Sequence, residues 1–151
     1  MAMPDAERAV LDTNVLLAAT DESRPEHLEA LAALNEWPSF GMALYTSGQI
    51  IREYLVVATR PAERNGLGLS RPDALANLRA LRTRLKLLAE DAKVTDRLLH
   101  LLDDVDCTGQ QIHDAQVVAT MLVHGIDTIV TRNVDDFARF AGHVGVMGLR
   151  P

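Results

Sequence analysis

Aromatic side chains are scarce in this chain. Trp, Tyr and Phe make up 4% of its 151 residues, too few for the stacking platform on which single-stranded nucleic acids lie. The core must therefore come from Leu, Val, Ile and Ala. Cysteine is scarcer still. The single Cys107 excludes an intramolecular disulfide and fits a reducing compartment. A lone Cys is more often a small packing residue than a nucleophile. No uninterrupted apolar run approaches membrane-spanning length, and the polar, acidic stretch Met1 to Arg8 has no apolar leader segment. These absences point to a cytoplasmic protein with no membrane partner. A surplus of positive charge is missing too. The formal net charge is −6, which disfavours nonspecific attraction of nucleic acid over the whole surface. It does not exclude a nuclease, because clustered acids that hold a metal lower the net charge themselves.

What is present is ordinary in bulk and uneven in detail. Hydrophobic residues are 48% and charged residues 24%, as in a typical globular protein. The length fits one domain, 1–151, with a sizeable core. Between Arg60 and Lys86, seven bases (Arg60, Arg64, Arg71, Arg79, Arg82, Arg84 and Lys86) face two acids, Glu63 and Asp73. The segment is either a solvated helix face or a track for a phosphate backbone, read through Arg79, Arg82 and Arg84.

Short apolar runs alternate with helical periodicities. Ala9–Leu11 reads as a buried strand, followed by three residues of N-cap type, Asp12, Thr13 and Asn14, and a short helix over Val15–Ala19. Pro25 reads as the first position of a helix from Glu26 to about Trp37. Met42–Tyr45 is a second strand, and Thr46 and Ser47 cap a helix over Gly48–Thr59. From Leu75 to Leu88, leucines at steps of three and four fit one long helix. They also fit a helix to Arg82 followed by a strand over Leu85–Leu88. An α/β architecture selects the second, because strands are otherwise few. Helices then span Asp91 to Leu102 and Gln110 to His124. Thr128–Thr131 is a strand, Asn133–Phe140 a turn and short helix, and Val144–Met147 the last strand. Strands separated by helices imply parallel pairing with right-handed crossovers. The expected fold is α/β, a small three-layer α/β/α sandwich around a parallel sheet of about four to five strands.

Acids fall at the carboxyl ends of these strands, where open α/β sheets bind ligands. Asp12 ends the first strand, Glu53 lies on the helix leaving the second, and Asp135 and Asp136 follow Thr131. Asp114 begins the helix before Thr128, and reaches the same edge if that helix is angled across it. Each acid has a bland explanation. Asp12 serves as a helix cap, Glu53 as a partner of Arg52 or Arg60, Asp114 as a complement to a helix dipole, and Asp135 with Asp136 as a capping pair. Together they are more informative. Carboxylates crowded into one place repel one another, and a divalent cation or an arginine is the usual reason to keep them ionised. An all-oxygen donor set suits Mg²⁺ or Mn²⁺ rather than zinc, and such ions serve phosphodiester hydrolysis.

The ordered set Val10-Leu11-Asp12-Thr13-Asn14-Val15-Leu16-Leu17, Ser47 to Glu53, Ile112-His113-Asp114-Ala115 and Thr131-Arg132-Asn133-Val134-Asp135-Asp136-Phe137 resembles the PIN-domain family. More narrowly, it resembles the VapC-type toxins of bacterial type II toxin–antitoxin pairs. The likeness runs from Val10 to about Phe137. It implies a Mg²⁺- or Mn²⁺-dependent endoribonuclease that cuts tRNA or rRNA, forms a homodimer and is neutralised by a cognate antitoxin. By that resemblance Asp12, Glu53 and Asp114 hold metal, and Thr13, Asn14 and Thr131 orient them. Asn133 stands where many relatives have an aspartate. It ligates through its amide oxygen or a water, or Asp136 compensates as the fourth catalytic acid. One tight ion on Asp12 and Asp114 is then the expectation. The antitoxin would lie in a groove between the Glu26–Trp37 and Gly48–Thr59 helices.

Two other readings compete. One is a catalytically weak or inactive PIN-like module that binds RNA or protein. The other is a phosphohydrolase with an aspartyl nucleophile, which would want an aspartate where Asn14 stands. His113, beside Asp114, is either a proton shuttle or an ordinary helix-start residue.

Overall fold

The computed structural model describes residues 6–150; most of the polar N-terminal stretch discussed above lies outside them. Five strands, β1 Arg8–Leu11, β2 Ala43–Ser47, β3 Lys86–Leu88, β4 Thr128–Thr131 and β5 Gly145–Gly148, form one sheet in the order β3-β2-β1-β4-β5. Every pairing is parallel, with Val10 opposite both Tyr45 and Ile129. Seven α-helices connect them among the described residues: α1 Thr13–Thr20, α2 His27–Asn35, α3 Gly48–Thr59, α4 Arg71–Arg82, α5 Ala92–Asp104, α6 Gln111–Val123 and α7 Val134–Phe137. This is the α/β/α sandwich the sequence pattern implies. None of these helices is long and apolar enough to cross a membrane.

Helices on both faces explain why β1 reads as an unbroken apolar run. Ala9, Val10 and Leu11 are all buried, as expected for a parallel strand covered on both sides. Aliphatic side chains fill most of the core, with Trp37, Tyr54, Phe137 and Phe140 as its few large aromatic members. The leucine run from Leu75 breaks as the architecture requires, α4 ending at Arg82 and β3 starting at Lys86. At only three residues, with Lys86 exposed, β3 makes a short, charged edge that resists pairing with another sheet.

The second helix departs from expectation. Pro25 lies in a turn closed by His27 N–H to the Arg24 carbonyl at 3.1 Å, and α2 spans only His27–Asn35. Glu26, at the N-cap position, makes no capping bond; its carboxylate instead accepts from Arg132 Nε at 3.1 Å. After α2 the chain tightens into a 3₁₀ turn over Trp37–Phe40, which ends at Gly41 with φ +92°, a left-handed conformation natural to glycine.

The strand order fixes where a ligand belongs. The chain builds outward from β1 to β3, then returns across the sheet to β4 beside β1. The crevice between the carboxyl ends of β1 and β4 is the switch point at which open α/β sheets bind ligands.

Candidate active site

Asp12 stands at that switch point. Its backbone N–H donates to the Val130 carbonyl at 2.9 Å, extending the β1–β4 pairing by one residue. Oδ1 accepts from the Thr13 N–H at 2.8 Å, so Asp12 does cap α1. Oδ2 accepts from the Thr131 hydroxyl at 2.8 Å and from Asn14 Nδ2 at 3.2 Å. Thr131 Oγ1 accepts in turn from the Asn133 N–H at 3.0 Å, and Asn14 Oδ1 from the Arg132 N–H at 3.0 Å. These bonds lock the ends of β1 and β4 together around one carboxylate. They also fill the lone pairs of Oδ2, leaving Oδ1 as the oxygen with spare accepting capacity.

Glu53 reaches the same place from α3. Its Oε2 accepts from the Thr13 hydroxyl at 2.9 Å and its Oε1 from Gln49 Nε2 at 2.9 Å. Among the described residues it forms no ion pair with Arg52 or Arg60. Asp114 lies in the first turn of α6, the helix that leads into β4. A crossover helix that feeds the start of a parallel strand runs antiparallel to it, so the first turn of α6 lies at the carboxyl edge. Asp136, on α7, arrives from the turn after β4.

The electrostatics tie the four acids together. Burial pushes the Asp12 carboxyl up to about 6; the bonds from Thr131 and Thr13 pull it back, and the charges of Glu53 and Asp136 push it further. Burial likewise pushes Asp114 up to about 7, followed by repulsion from Asp12, Asp136 and Glu53, against a pull from Arg139. Asp135 is exposed and is not among the main charges that shift either carboxyl. Crowded carboxylates that resist ionisation are the electrostatic signature of a functional site.

Among the described residues, no three or more His, Cys, Asp or Glu side chains are spaced as they stand to hold a metal ion together. The donor set nonetheless fits a hard cation that keeps several of its own waters and takes one or two carboxylates directly. It is all oxygen, its members repel one another, and Asp12 Oδ1 and both Glu53 oxygens retain accepting capacity.

The remaining candidates are dispersed. Asn133 is exposed, and it shares with Asp136, Arg132 and Arg150 a groove of about 460 Å³ beside the acids. His113 lines a second groove, of about 260 Å³, with Glu53, Arg52, Val56 and Arg60. That groove lies between α3 and the start of α6, whereas the sequence reading placed one between α2 and α3. Arg79 and Arg82 occupy the last turn of α4. Arg84 lines a depression with Gly41–Leu44 at the start of β2. These three arginines therefore sit at the amino edge of the sheet, opposite the acids. Two participants escaped the sequence reading. Arg139 gives no local signal. Gln49 gives one: it lies four residues before Glu53, on the same face of α3.

Comparison with known proteins identifies the family. The PIN-domain family model matches residues 9–143, and the chain belongs to that family. Its relatives are more specific. It is 31% identical over 136 residues to Ribonuclease VapC24 of Mycobacterium tuberculosis, covering 86% of this chain and 89% of the relative. The fold matches VapBC2 from Rickettsia felis, solved bound to a promoter DNA fragment, with a TM-score of 0.70 at 16% identity over 93% of this chain and 98% of that one. It also matches Mycobacterium tuberculosis VapC20, described as a sarcin-ricin loop cleaving toxin, with a TM-score of 0.67 at 23% identity over 95% and 99%.

Proposed function

We propose that this chain is a single-domain, Mg²⁺- or Mn²⁺-dependent endoribonuclease. It acts as the toxin of a toxin–antitoxin pair, in the cytoplasm and as a homodimer. The observation that carries this is the convergence of Asp12, Glu53, Asp114 and Asp136 on the switch point of the sheet, where Asp12 and Asp114 are pushed to about 6 and 7. Relatives that are named ribonucleases or solved as toxin–antitoxin complexes support the substrate class and the partner.

Asp12, Glu53 and Asp114 would hold the cation, and Asp136 would complete the site. A bound divalent ion supplies Lewis-acid polarisation of the phosphodiester and a more acidic water. The chain's own residues do the rest. Thr131 and Asn14 hold Asp12 Oδ2, which leaves Oδ1, bonded only to the Thr13 N–H, with capacity to accept a further partner. Thr13 ties Glu53 to the start of α1. Arg52 and Arg60, in the groove beside Glu53, are placed to take phosphates flanking the scissile bond. Arg79, Arg82 and Arg84 would reach only a distant part of a large RNA such as a tRNA or rRNA.

The test is cleavage of a panel of structured RNAs by the purified chain, with and without Mn²⁺, beside Asp12→Asn. Cleavage that needs metal and disappears in the variant is expected; cleavage indifferent to both would sink the mechanism. A small DNA-binding protein encoded beside this gene, binding the chain and silencing it, is the expected antitoxin.

A further inference from the structure

Gln49 is 5% exposed and occupies the second position of α3. Its Nε2 donates twice, to Glu53 Oε1 at 2.9 Å and to the main-chain carbonyl of His113 at 2.8 Å. Glu53 lies one turn further along α3, and His113 immediately precedes Asp114 on α6. Among the described residues, no other side chain hydrogen-bonds from α3 to α6. One amide thus joins the two helices that carry two of the acids.

The amide's orientation is forced, and the choice leaves a polar atom stranded. Both partners of Nε2 are acceptors, so turning the amide over would set oxygen against oxygen. In the orientation that chemistry permits, Gln49 Oε1 is buried without a hydrogen-bond partner. A buried, unpaired acceptor is destabilising, and an apolar side chain of similar shape would pack α3 against α6 without it. The rest of the local structure holds Gln49 in place. Its backbone N–H donates to Glu90 Oε2 at 3.1 Å, and Glu90 Oε1 accepts from Gln116 Nε2 on α6 at 3.4 Å. Residue 48 is glycine where a Cβ would stand 3.1 Å from Glu90 Oε2.

We propose that Gln49 is a positioning residue: its amide fixes the separation of Glu53 and Asp114, the latter through the His113 carbonyl, so that the two carboxylates meet a divalent cation at a set spacing. This rests on the reading above that these acids hold the cation.

The experiment uses the full chain and two substitutions, Gln49→Met, close in shape, and Gln49→Ala, which drops both bonds with no steric demand. Circular dichroism checks the fold, calorimetry measures Mn²⁺ binding without RNA, and RNA cleavage is followed at limiting and saturating Mn²⁺. Mn²⁺ binding is expected to weaken by about ten-fold or more, the range for residues that orient metal ligands. Cleavage should fall at limiting Mn²⁺ and recover to within a few-fold at saturation. Mn²⁺ affinity within two-fold of the parent, in either folded variant, overturns the inference. So does a loss of cleavage that saturating Mn²⁺ does not restore, because that marks a residue that touches RNA. Asp114→Asn is measured alongside. If it too binds Mn²⁺ normally, the reading of the acids has failed; if it alone loses binding, only the role of Gln49 has.

Discussion

The two edges of this one sheet are built on opposite principles. At the carboxyl edge, side chains from four helices and two strand ends meet around Asp12. The bonds that hold them span 117 and 119 residues of sequence. Like charges are kept close there, and a buried amide oxygen goes unpaired. At the amino edge, Arg79, Arg82 and Arg84 are exposed on the last turn of α4 and the step into β3, and Arg79 and Arg82 complement the helix dipole as basic residues near a C-terminus ordinarily do. One edge gives up stability for a geometry; the other follows the rules of a stable helix end. Substitutions should therefore act in opposite senses at the two edges.

The largest effect should come from Asp114→Asn. The Asp114 side chain makes no hydrogen bond within the described residues, and its charge is opposed by burial and by Asp12, Asp136 and Glu53. Removing that charge relieves more repulsion than the weaker Arg139 attraction it forfeits, and it breaks no hydrogen bond. In metal-free buffer at pH 8, unfolding should become harder by about 1 kcal/mol after allowing for solvent screening, while RNA cleavage falls by at least about 100-fold. Denaturant unfolding and cleavage assays on the same preparation measure both. A variant that loses stability and activity together would mean that Asp114 supports the fold.

A smaller effect follows from pH. Asp12 and Asp114 have carboxyls raised to about 6 and about 7, so the folded chain binds their protons more tightly than the unfolded chain does. Stability then falls as pH rises from the ordinary carboxylate range, about 4, to about 7, and levels off above that. Without divalent ions the melting temperature at pH 8 should lie several degrees below that at pH 5, since about 1 kcal/mol corresponds to roughly 2–4 °C in a chain of this size. Mg²⁺ or Mn²⁺ should raise the pH 8 value most, because binding to the folded state stabilises it. A melting temperature that rises from pH 5 to pH 8 in chelator would break the comparison at its acidic side.

The amount of this that could be read from sequence follows the range of each interaction. Ala9–Leu11 followed by Asp12 was legible as a buried strand ending in an acid, because both parts are local. The split of the Leu75–Leu88 run was legible only through the architecture, since α4 and β3 share one apolar spacing. Pro25 misled because Glu26, needed for the helix start, is drawn to Arg132, 106 residues away. Asp114 could be reached only through topology, because nothing local to it marks the edge at which α6 begins. Gln49 was overlooked although its spacing from Glu53 is readable, because its second partner is a backbone carbonyl on α6 that no side-chain pattern marks. The arginine-rich segment looked uniform in sequence, yet Arg60 lines the groove beside Glu53 while the path along α4 carries Arg79, Arg82 and Arg84 away from the site.

That last point yields the finest test of the contrast between edges. Each arginine that neutralises an RNA phosphate releases condensed counterions, so its loss lowers the salt dependence of binding by about 0.7–0.9 per contact in a plot of log affinity against log salt. Arg52 and Arg60 line the groove that contains Glu53, close to any phosphate presented to the acids. Replacing both with Ala, in an Asp12→Asn background that binds without cutting, should flatten the slope by about one to two units. Arg79→Ala with Arg82→Ala removes the same formal charge from the opposite edge. It should leave the slope nearly unchanged for a short RNA that spans only the active site, and lower it only for a substrate long enough to reach around the sheet. A short RNA that responds equally to both pairs would show that the backbone runs over α4 after all, and that the acidic edge receives its substrate from that side.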